Sequence, residues 1–387
     1  NTLQEELMEE GSRILIVSYT NRAVDEICSK LHPQIDFLRL GGEYTSSSEY
    51  ANNLFSTHIA TCRSAEELKQ LFLSTRVIVG TVASITSHLS LVGMKPFSLC
   101  IIDEASQILE PYLLPMISLR LQNGMPCIRK FVMIGDHKQL PAVVQQRPSE
   151  SVVSDSLLRD ISLLDCRDSL FERMLRLYRN DENVCFMLTR QGRMHHEIAE
   201  FPNKHFYQGQ LQVVPLRHQL TPSPEPRVRF FHVSPYANSL SDNVNVAEAE
   251  LVVDYLINIW EANKADFHPD ETVGVIVPYR NQISAILSIL ASRLQVDDHP
   301  LLNITIDTVE RFQGSQRKYI IYSFTVQREY QLRFLTETNF IEDGQLIDRK
   351  LNVAMTRAQE YLIMIGNRVV LSKNPLYAQL IQDYLCE

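Results

Sequence analysis

The sequence predicts an α/β protein made of two tandem units, each a parallel β-sheet flanked by helices. Short apolar runs rich in β-branched residues alternate with amphipathic helical patterns along the whole chain. This alternation is typical of parallel strands joined by crossover helices. Because 45% of the 387 residues are apolar, the chain can bury two hydrophobic cores. We predict a first domain over residues 1–180 and a second over residues 181–387.

The first domain is predicted to contain four strands, at Ile14–Val17, Arg76–Val79, Leu99–Ile102 and Phe131–Ile134. Helical patterns cover Thr2–Glu10, Ser64–Phe72 and Ser169–Leu177. Residues 41–75 are polar and then helical, which predicts a small insertion. The chain begins with Asn1 inside a helical pattern, and we therefore expect a fragment whose first domain lacks its first strand.

The second domain is predicted to contain six strands, at Val184–Leu188, Val228–Val233, Val273–Val277, Ile304–Ile306, Tyr319–Phe324 and Tyr361–Ile365. Amphipathic helices are expected at Val246–Asn263 and Gln282–Leu294. The four prolines between Pro215 and Pro226 predict a connecting loop on the surface.

Composition and charge narrow the function classes. A net charge of −9 argues against a protein coated in positive charge for duplex binding, but it leaves room for a local groove that holds a single strand. The seven cysteines include no C-x-x-C pair, so we expect reduced thiols in a cytoplasmic protein, or a nuclear one in a eukaryote. No apolar run approaches the roughly 18 residues of a membrane span, and no membrane partner is expected.

Two buried strands that run into polar residues are the strongest chemical signal. The first ends in Asp103 and Glu104, and the second leads to Gln139. Nucleoside triphosphatases use such an aspartate to hold Mg²⁺ and a neighbouring acid to position the attacking water. The alternative is structural, since two acids after a strand also suit the start of a helix.

The phosphate-binding loop is missing from the sequence. None of the 13 glycines is followed by lysine, so no G-x-x-x-x-G-K-[ST] motif is present. The chain therefore carries half of a predicted ATPase site, and by itself we expect it to be inactive in ATP hydrolysis.

Seven segments together resemble the ordered motifs of superfamily 1 helicases, of the type that includes the RNA-surveillance helicase and senataxin (superfamily 1B). The segments similar to motifs Ia, II and III are Ser18–Asp25, Asp103–Gln107 and Gly135–Pro141. The segments similar to motifs IIIa, IV, V and VI are Gln191–His195, Val277–Arg280, Gln313–Gln316 and Leu351–Ala358. The resemblance spans nearly the whole chain and implies two RecA-like domains of the P-loop NTPase type.

The resemblance implies an ATP- and Mg²⁺-dependent site. Asp103 would bind the metal, Glu104 would activate water, and Gln139 would sense the γ-phosphate. Arg193 and Arg357, from the second domain, would act as arginine fingers when the domains close over the nucleotide, because a guanidinium can bind two phosphate oxygens at once. The implied nucleotide-binding residues are Gln191, Gly314, Gln316 and Arg357.

Two positions depart from the family pattern. Gly192 replaces a tyrosine whose ring can stack on the base, and Gln316 replaces a glutamate that contacts the ribose. We therefore expect base stacking to be weak or to come from elsewhere. Asn352 to Arg357 are expected to start a helix whose exposed first turn faces the nucleotide.

The resemblance also implies contacts to single-stranded DNA or RNA along both domains. The matching positions are Thr20, Asn21, Thr81, Pro278, Tyr279, Arg280 and Thr308. Hydroxyl and amide groups can bind phosphates without reading sequence, although polar residues at strand ends are also common without a ligand. His195 and His196 have no further metal ligand at suitable spacing, which favours a structural role.

The resulting hypothesis is an ATP-dependent helicase or translocase core, moving 5′ to 3′ by resemblance and acting as a monomer. One alternative is a nucleic-acid-binding or scaffold protein that has lost ATPase activity. The other is the helicase part of a nuclease–helicase fusion, although the chain shows no nuclease-like cluster of carboxylates and lysine. The sequence does not distinguish DNA from RNA.

Overall fold

The computed structural model describes residues 9, 11–41, 48–234, 242–296 and 298–386. The chain divides into two compact units. Unit 1 comprises Asn1–His137 and Pro141–Phe186, and unit 2 comprises Lys138–Leu140 and Met187–Glu387. The predicted helix at Thr2–Glu10 falls almost wholly outside the described residues. Because unit 2 includes Lys138–Leu140, Gln139 belongs to unit 2 and not to the first domain, where the predicted boundary at residue 180 placed it.

Unit 1 is built on a five-stranded parallel sheet. Its strands are β1 (Ile14–Ser18), β2 (Leu38–Leu40), β3 (Val77–Thr81), β4 (Phe97–Ile102) and β5 (Ile128–Met133), in the order β2-β3-β1-β4-β5. Every residue of β1 and β3 is buried, which is the expected pattern for central strands covered on both faces. The predicted parallel α/β architecture is confirmed here.

The helices of unit 1 are α1 (Asn21–Leu31), α2 (Phe55–Thr61), α3 (Ala65–Ser74), α4 (Val82–Ser87), α5 (Leu89–Val92), α6 (Glu110–Ile117), α7 (Pro148–Ser151), α8 (Ser156–Asp160) and α9 (Leu170–Tyr178). Short 3₁₀ helices cover Ser48–Asn53 and Ala105–Gln107. Local sequence determines where several of these helices begin. Ser64 caps α3, and Ser169 forms a capping box with Glu172 at the start of α9. Residues 41–75, predicted as an insertion, connect the neighbouring strands β2 and β3.

Unit 2 is built on a six-stranded parallel sheet. Its strands are β8 (Val228–His232), β9 (Val273–Ile276), β10 (Thr305–Asp307), β11 (Arg317–Ser323), β14 (Ala358–Gly366) and β15 (Leu385–Cys386), in the order β10-β9-β11-β14-β8-β15. Two small pairs lie apart from it: β6 (Arg190–Gln191) with β7 (Gln212–Val213), and the hairpin β12 (Phe340–Glu342) with β13 (Gln345–Ile347). The architecture predicted for this half is confirmed as well.

The helices of unit 2 are α10 (His196–Phe206), α11 (Arg217–Leu220), α12 (Val246–Asn263), α13 (Arg280–Leu294), α14 (Glu329–Leu335), α15 (Arg349–Thr356), α16 (Arg368–Leu371) and α17 (Pro375–Tyr384). Short 3₁₀ helices cover Lys264–Asp266, Pro300–Asn303 and Val309–Phe312. Apolar side chains form one core on each face of the sheet. One core gathers α10, α15 and α17, and the other gathers α12 and α13.

Two local predictions for this half are wrong. Val184–Leu188 forms no strand, and Phe186 and Leu188 are 76% and 78% exposed, because no neighbouring strand pairs with the segment. The proline-rich connector lies on the surface as predicted, with all four of its prolines exposed, although it also contains the short helix α11, on which Gln219 is fully buried. Asn352 does not start a helix: it lies inside α15, which begins at Arg349, and it is fully buried.

None of the helices in the described ranges is long and apolar enough to cross a membrane.

Candidate functional site

The acidic pair of unit 1 lies at the carboxyl edge of its sheet. The backbone N–H of Asp103 donates to Val17 O at 2.8 Å, so the residue directly follows β4 beside the end of β1. The chain reaches β2 and β3 on one side of β1 and then crosses to β4 on the other, which makes this a topological switch point. Ligands of open α/β sheets bind at such points.

The backbone turns sharply at Glu104, which has a left-handed conformation with φ 52° and ψ 38°. The following residue is held to the next strand, because Ala105 N–H donates to Ile134 O at 2.8 Å. Gln107 Nε2 then donates to Glu104 Oε2 at 2.7 Å and fixes one carboxylate oxygen. A left-handed non-glycine residue is a strained conformation that is enriched at functional sites.

Burial raises the pKa of Asp103, and the negative charge of Glu26 adds to that rise. The same edge contains two buried hydroxyls without a hydrogen-bond partner, Ser18 Oγ and Ser106 Oγ. A half-buried carboxylate beside unsatisfied hydroxyl oxygens is a donor set that suits Mg²⁺, which binds one or two carboxylates and keeps waters and substrate phosphates as its other ligands. The residues present therefore fit the metal that the sequence predicts.

The predicted nucleic-acid residues of unit 1 lie on the same edge. Thr81 is the last residue of β3, where its strand neighbour is Ser18 of β1. Thr20 and Asn21 are exposed at the start of α1. Both threonine hydroxyls act as helix caps: Thr20 Oγ1 accepts from Ala23 N–H at 3.2 Å and Thr81 Oγ1 from Ser84 N–H at 3.1 Å. Thr81 is only 7% exposed, and its hydroxyl already serves as the cap of α4.

In unit 2, Arg357 meets Gln139. Arg357 follows α15 and precedes β14, at the amino edge of the sheet, and it is 2% exposed. Its Nη2 donates to Gln139 Oε1 at 2.9 Å, and its Nε donates to Val353 O at 3.2 Å. The guanidinium is thus oriented by its own helix on one side and by the amide of Gln139 on the other.

The segment that carries Gln139 is firmly attached to unit 2. Lys138 Nζ lies 2.8 Å from Glu342 Oε2 and donates to Phe206 O at 2.8 Å. Asn352 Nδ2 donates to Lys138 O at 2.8 Å, which explains why Asn352 is buried. Sequence reasoning missed this role because the two residues are distant in the chain and neither has a pattern that predicts the contact.

Arg193 belongs to the same edge. Its Nε donates to Gln316 Oε1 at 3.1 Å, and its Nη1 donates to Thr356 O at 3.2 Å, one residue before Arg357. The structure therefore brings four predicted site residues of unit 2 into one cluster: Gln139, Arg193, Gln316 and Arg357. A glutamine at position 316 accepts from Arg193 without the charge of a glutamate.

The other predicted nucleotide-binding residues shape the backbone around this cluster. Gln191 Oε1 accepts from Arg193 N–H at 3.0 Å and from Met194 N–H at 2.8 Å, which shapes the turn that presents Arg193. Gly192 is exposed, and a Cβ there would meet only Leu216 Cδ1, at 3.4 Å. Gly314 has φ +74°, a conformation that favours glycine, just before Gln316.

The remaining predicted nucleic-acid residues of unit 2 lie at the opposite, carboxyl edge of the sheet. Tyr279 and Arg280 follow β9, and Thr308 follows the adjacent strand β10. A groove of about 740 Å³ opens there, lined by Arg280, Ile283, Ser284, Asp307, Thr308, Glu310 and Arg311. We call it the 280–311 groove. Pro278, partly buried, joins β9 to this edge without lining the groove.

His195, His196 and Glu197 place potential metal-binding atoms within 4.8 Å of one another. His195 is fully buried, its Nδ1 accepts from Glu197 N–H at 3.3 Å, and its Nε2 lies 3.3 Å from Thr221 O. Both ring nitrogens are therefore used within the protein. Burial lowers the pKa of His195, so the neutral ring that these bonds require is favoured.

Comparison with known families matches most of the chain. Residues 166–369 match the AAA_12 family, described as an AAA domain, and residues 54–147 match AAA_11, also described as an AAA domain. The first match alone covers more than half of the 387 residues. The chain belongs to the AAA_12 family of AAA domains, and the predicted resemblance to superfamily 1 helicases is confirmed.

Among curated relatives, the DNA replication ATP-dependent helicase/nuclease DNA2 of Gallus gallus is 30% identical over 364 residues, covering 92% of this chain and 32% of that protein. The DNA polymerase alpha-associated DNA helicase A of Saccharomyces cerevisiae is 28% identical over 342 residues, covering 80% of this chain and 45% of that protein. The chain thus spans about a third to under half of these relatives. A solved arterivirus nonstructural protein 10 helicase with DNA covers 94% of this chain and 56% of its own, at 12% identity and a TM-score of 0.42.

Proposed function

We propose that this chain is the core of an ATP-dependent helicase that moves along single-stranded nucleic acid and separates strands. The observation that carries the proposal is the Arg357–Gln139 pair, with Arg193 beside it. Two guanidinium groups and an amide converge at one edge of unit 2, and a fork of five N–H donors suits the oxygens of a triphosphate.

The acids of unit 1 supply the complementary chemistry. Asp103 would hold Mg²⁺, with Ser18 and Ser106 as nearby hydroxyl donors. The metal, when bound, neutralises charge on the phosphates. Glu104, oriented by Gln107, would accept a proton from the attacking water. We infer that these acids and the two arginines act in the same hydrolysis reaction, since phosphoryl transfer depends on positioning and charge neutralisation.

Single-stranded DNA is the nucleic acid we favour. The two relatives described above are named as DNA helicases. Thr20 and Asn21 of unit 1, and Arg280 with Thr308 of unit 2, offer hydroxyl, amide and guanidinium groups that bind phosphates without reading sequence. A monomer acting in the cytoplasm or nucleus is consistent with this role.

One relative supports a second candidate. The chicken protein is named as a helicase/nuclease, and this chain matches only 32% of it. The chain would then be the helicase part of a nuclease–helicase, with the nuclease in other residues. A silent scaffold is the remaining alternative, and the convergence of Arg193 and Arg357 at one edge of unit 2 supports the helicase over it.

The test is ATP-dependent strand separation by the natural protein that contains these residues, measured with DNA duplexes that carry a single-stranded tail at either the 5′ or the 3′ end only. We expect unwinding of the 5′-tailed duplex and none by Glu104→Gln. Unwinding of only the 3′-tailed duplex would refute the direction. The absence of any DNA-stimulated ATP hydrolysis would refute the proposed function.

A further inference from the structure

The proline-rich connector packs its short helix α11 against the turn that presents Arg193. The connector runs from Pro215 to Pro226, and most of its residues are exposed. Gln219 of α11 is nevertheless fully buried, and the preceding His218 is half-buried. Buried polar side chains in folded proteins are hydrogen-bonded, so the partners of these two residues show what the connector holds.

One amide group of α11 bridges both ends of this turn. Gln219 Nε2 donates to Gln191 O and to Met194 O, each at 2.9 Å. The two carbonyls stand on either side of Arg193 in the chain. In addition, His218 Nε2 lies 3.0 Å from Arg193 O. Two consecutive side chains of α11 therefore contact three backbone carbonyls within a run of four residues.

The turn needs such support because it contains a glycine. Gly192 has no side chain that could pack against a neighbour on its own behalf, and glycine has more backbone freedom than any other residue. Gln191 closes the turn from one end, since its Nε2 also donates to Met194 O, at 3.0 Å. The bonds from α11 add a second, external restraint on the backbone that carries Arg193.

Stability alone does not account for the amide of Gln219. Its Oε1 is buried and accepts no hydrogen bond from any residue that the structure describes. An unsatisfied buried acceptor is destabilising, and an apolar side chain of similar length would avoid that loss. The position of this glutamine is therefore explained best by the two carbonyls that its Nε2 holds.

We propose that Gln219 is a positioning residue for Arg193 in ATP hydrolysis and acts through the turn Gln191–Met194. The guanidinium itself is directed toward Gln316 Oε1 and Thr356 O, at 3.1 and 3.2 Å, while α11 fixes the backbone from which it extends. This inference rests on the proposed function. It gives a role in the reaction to a connector that the sequence predicts only as a surface loop.

The experiment compares Gln219→Met with the wild type in single-stranded-DNA-stimulated ATP hydrolysis by the natural protein that contains this chain. Methionine keeps the length of the side chain and donates no hydrogen bond. The turnover rate at saturating ATP should fall about tenfold or more, and the KM for ATP should change less than about twofold, because a misplaced catalytic group weakens the transition state. Gln210→Met, the same substitution at an exposed glutamine, is the matched control and should change neither.

A second comparison tests whether Gln219 acts through Arg193. In an Arg193→Ala background, Gln219→Met should lower the turnover rate no further, because the guanidinium that it positions is gone. Single-turnover reactions with the protein in excess over ATP keep slow rates measurable. An equal loss of rate in both backgrounds would show a general structural role and refute the inference.

Hydrogen–deuterium exchange follows the turn itself, independently of activity. The backbone amides of Arg193 and Met194 should exchange faster in Gln219→Met than in the wild type or in Gln210→Met, while peptides elsewhere in unit 2 exchange at the same rate. Unchanged exchange of these two amides would show that α11 does not restrain the turn and would overturn the inference.

The outcomes separate the inference from the proposed function. If Arg193→Ala is impaired and Gln219→Met hydrolyses ATP at the wild-type rate, the inference is refuted and the proposed function stands. Wild-type hydrolysis by Arg193→Ala also refutes the inference, since no catalytic arginine would then need positioning. If the wild-type protein shows no hydrolysis with single-stranded DNA, the proposed function fails and the inference with it.

Discussion

Arg357 Nη2 donates to Gln139 Oε1 at 2.9 Å, although the two residues are 218 positions apart. This bond joins the segment similar to helicase motif III with the segment similar to motif VI. Both residues belong to unit 2, so the contact is internal to one compact body. Burying a guanidinium is costly unless its N–H groups are hydrogen-bonded, and the amide oxygen of Gln139 accepts from one of them.

The first prediction concerns coupling between these two residues in ATP hydrolysis. If Gln139 orients Arg357, then removing either side chain should lower the hydrolysis rate nearly as much as removing both. We expect Gln139→Ala and Arg357→Ala each to lower the rate of DNA-stimulated hydrolysis. The increase in activation free energy in the double variant should be clearly smaller than the sum of the increases in the two single variants. Steady-state hydrolysis rates of the four proteins measure this coupling. Simple additivity would show that the bond has no part in turnover.

The second prediction concerns Glu104. Glu104→Gln should abolish turnover and spare ATP binding, because the amide cannot accept the proton of the attacking water while Asp103 keeps its carboxylate. Glu66→Gln, at an exposed glutamate on α3, is the control and should leave hydrolysis unchanged. Hydrolysis rate and binding of a fluorescent ATP analogue are measured on both proteins. Normal turnover by Glu104→Gln would assign the acid a structural role.

The third prediction concerns the 387 residues as an isolated protein. They include no glycine-rich G-K-[ST] loop, and therefore lack the backbone N–H groups and the lysine that bind the β- and γ-phosphates. We expect weak ATP binding by isothermal titration calorimetry and negligible hydrolysis with or without single-stranded DNA. Robust DNA-stimulated turnover by these residues alone would overturn the site described here.

The fourth prediction concerns pH and the buried acid Glu248 of α12. Burial raises the pKa of Glu248 from its ordinary 4.5 to about 7, although Ser323 Oγ and Thr325 N–H donate to its Oε2 at 2.7 and 2.8 Å. The folded state therefore holds a proton that the unfolded chain loses first. The unfolding free energy should fall as pH rises from about 4.5 to about 7, by roughly 3 kcal/mol at most, and then level off.

Glu248→Gln should remove this pH dependence, because a glutamine stays neutral at every pH. Glu250→Gln, at an exposed position on the same helix, should leave it intact. Urea unfolding at pH 5 and pH 8 is the measurement. Equal pH dependence of Glu248→Gln and the wild type would assign the effect to other groups.

Where the local pattern determines the structure, sequence and structure agree. The 18-residue helix Val246–Asn263 has the predicted bounds, because Asn245 caps its start and its apolar positions recur at helical spacing. Strand β4, which Asp103 follows, and the fully buried β1 and β3 were likewise predicted from their apolar runs.

The sequence did not predict local structure that depends on residues far away in the chain. The Val184–Leu188 run has the composition of a strand but pairs with no other strand in the described structure. Asn352 was expected to be exposed, yet Lys138 O and Tyr207 Oη both accept from its Nδ2 and hold it in the interior. The buried hydroxyls of Ser18 and Ser106, which have no hydrogen-bond partner, also depend on neighbours that no local pattern specifies.

The proposed function requires unit 2 to contribute catalytic charge to ATP hydrolysis through Arg357. The most direct measurement is the rate of single-stranded-DNA-stimulated ATP hydrolysis by the natural protein that contains this chain, compared with Arg357→Ala and Arg357→Lys. Arg368→Ala, at an exposed arginine of α16, is the control. Because an arginine finger is worth roughly 10³–10⁵ in rate, Arg357→Ala should lose orders of magnitude while DNA binding changes little. Lysine should rescue poorly, since a point charge cannot reproduce the planar fork. Hydrolysis by Arg357→Ala at the rate of Arg368→Ala would show that Arg357 contributes no catalytic charge.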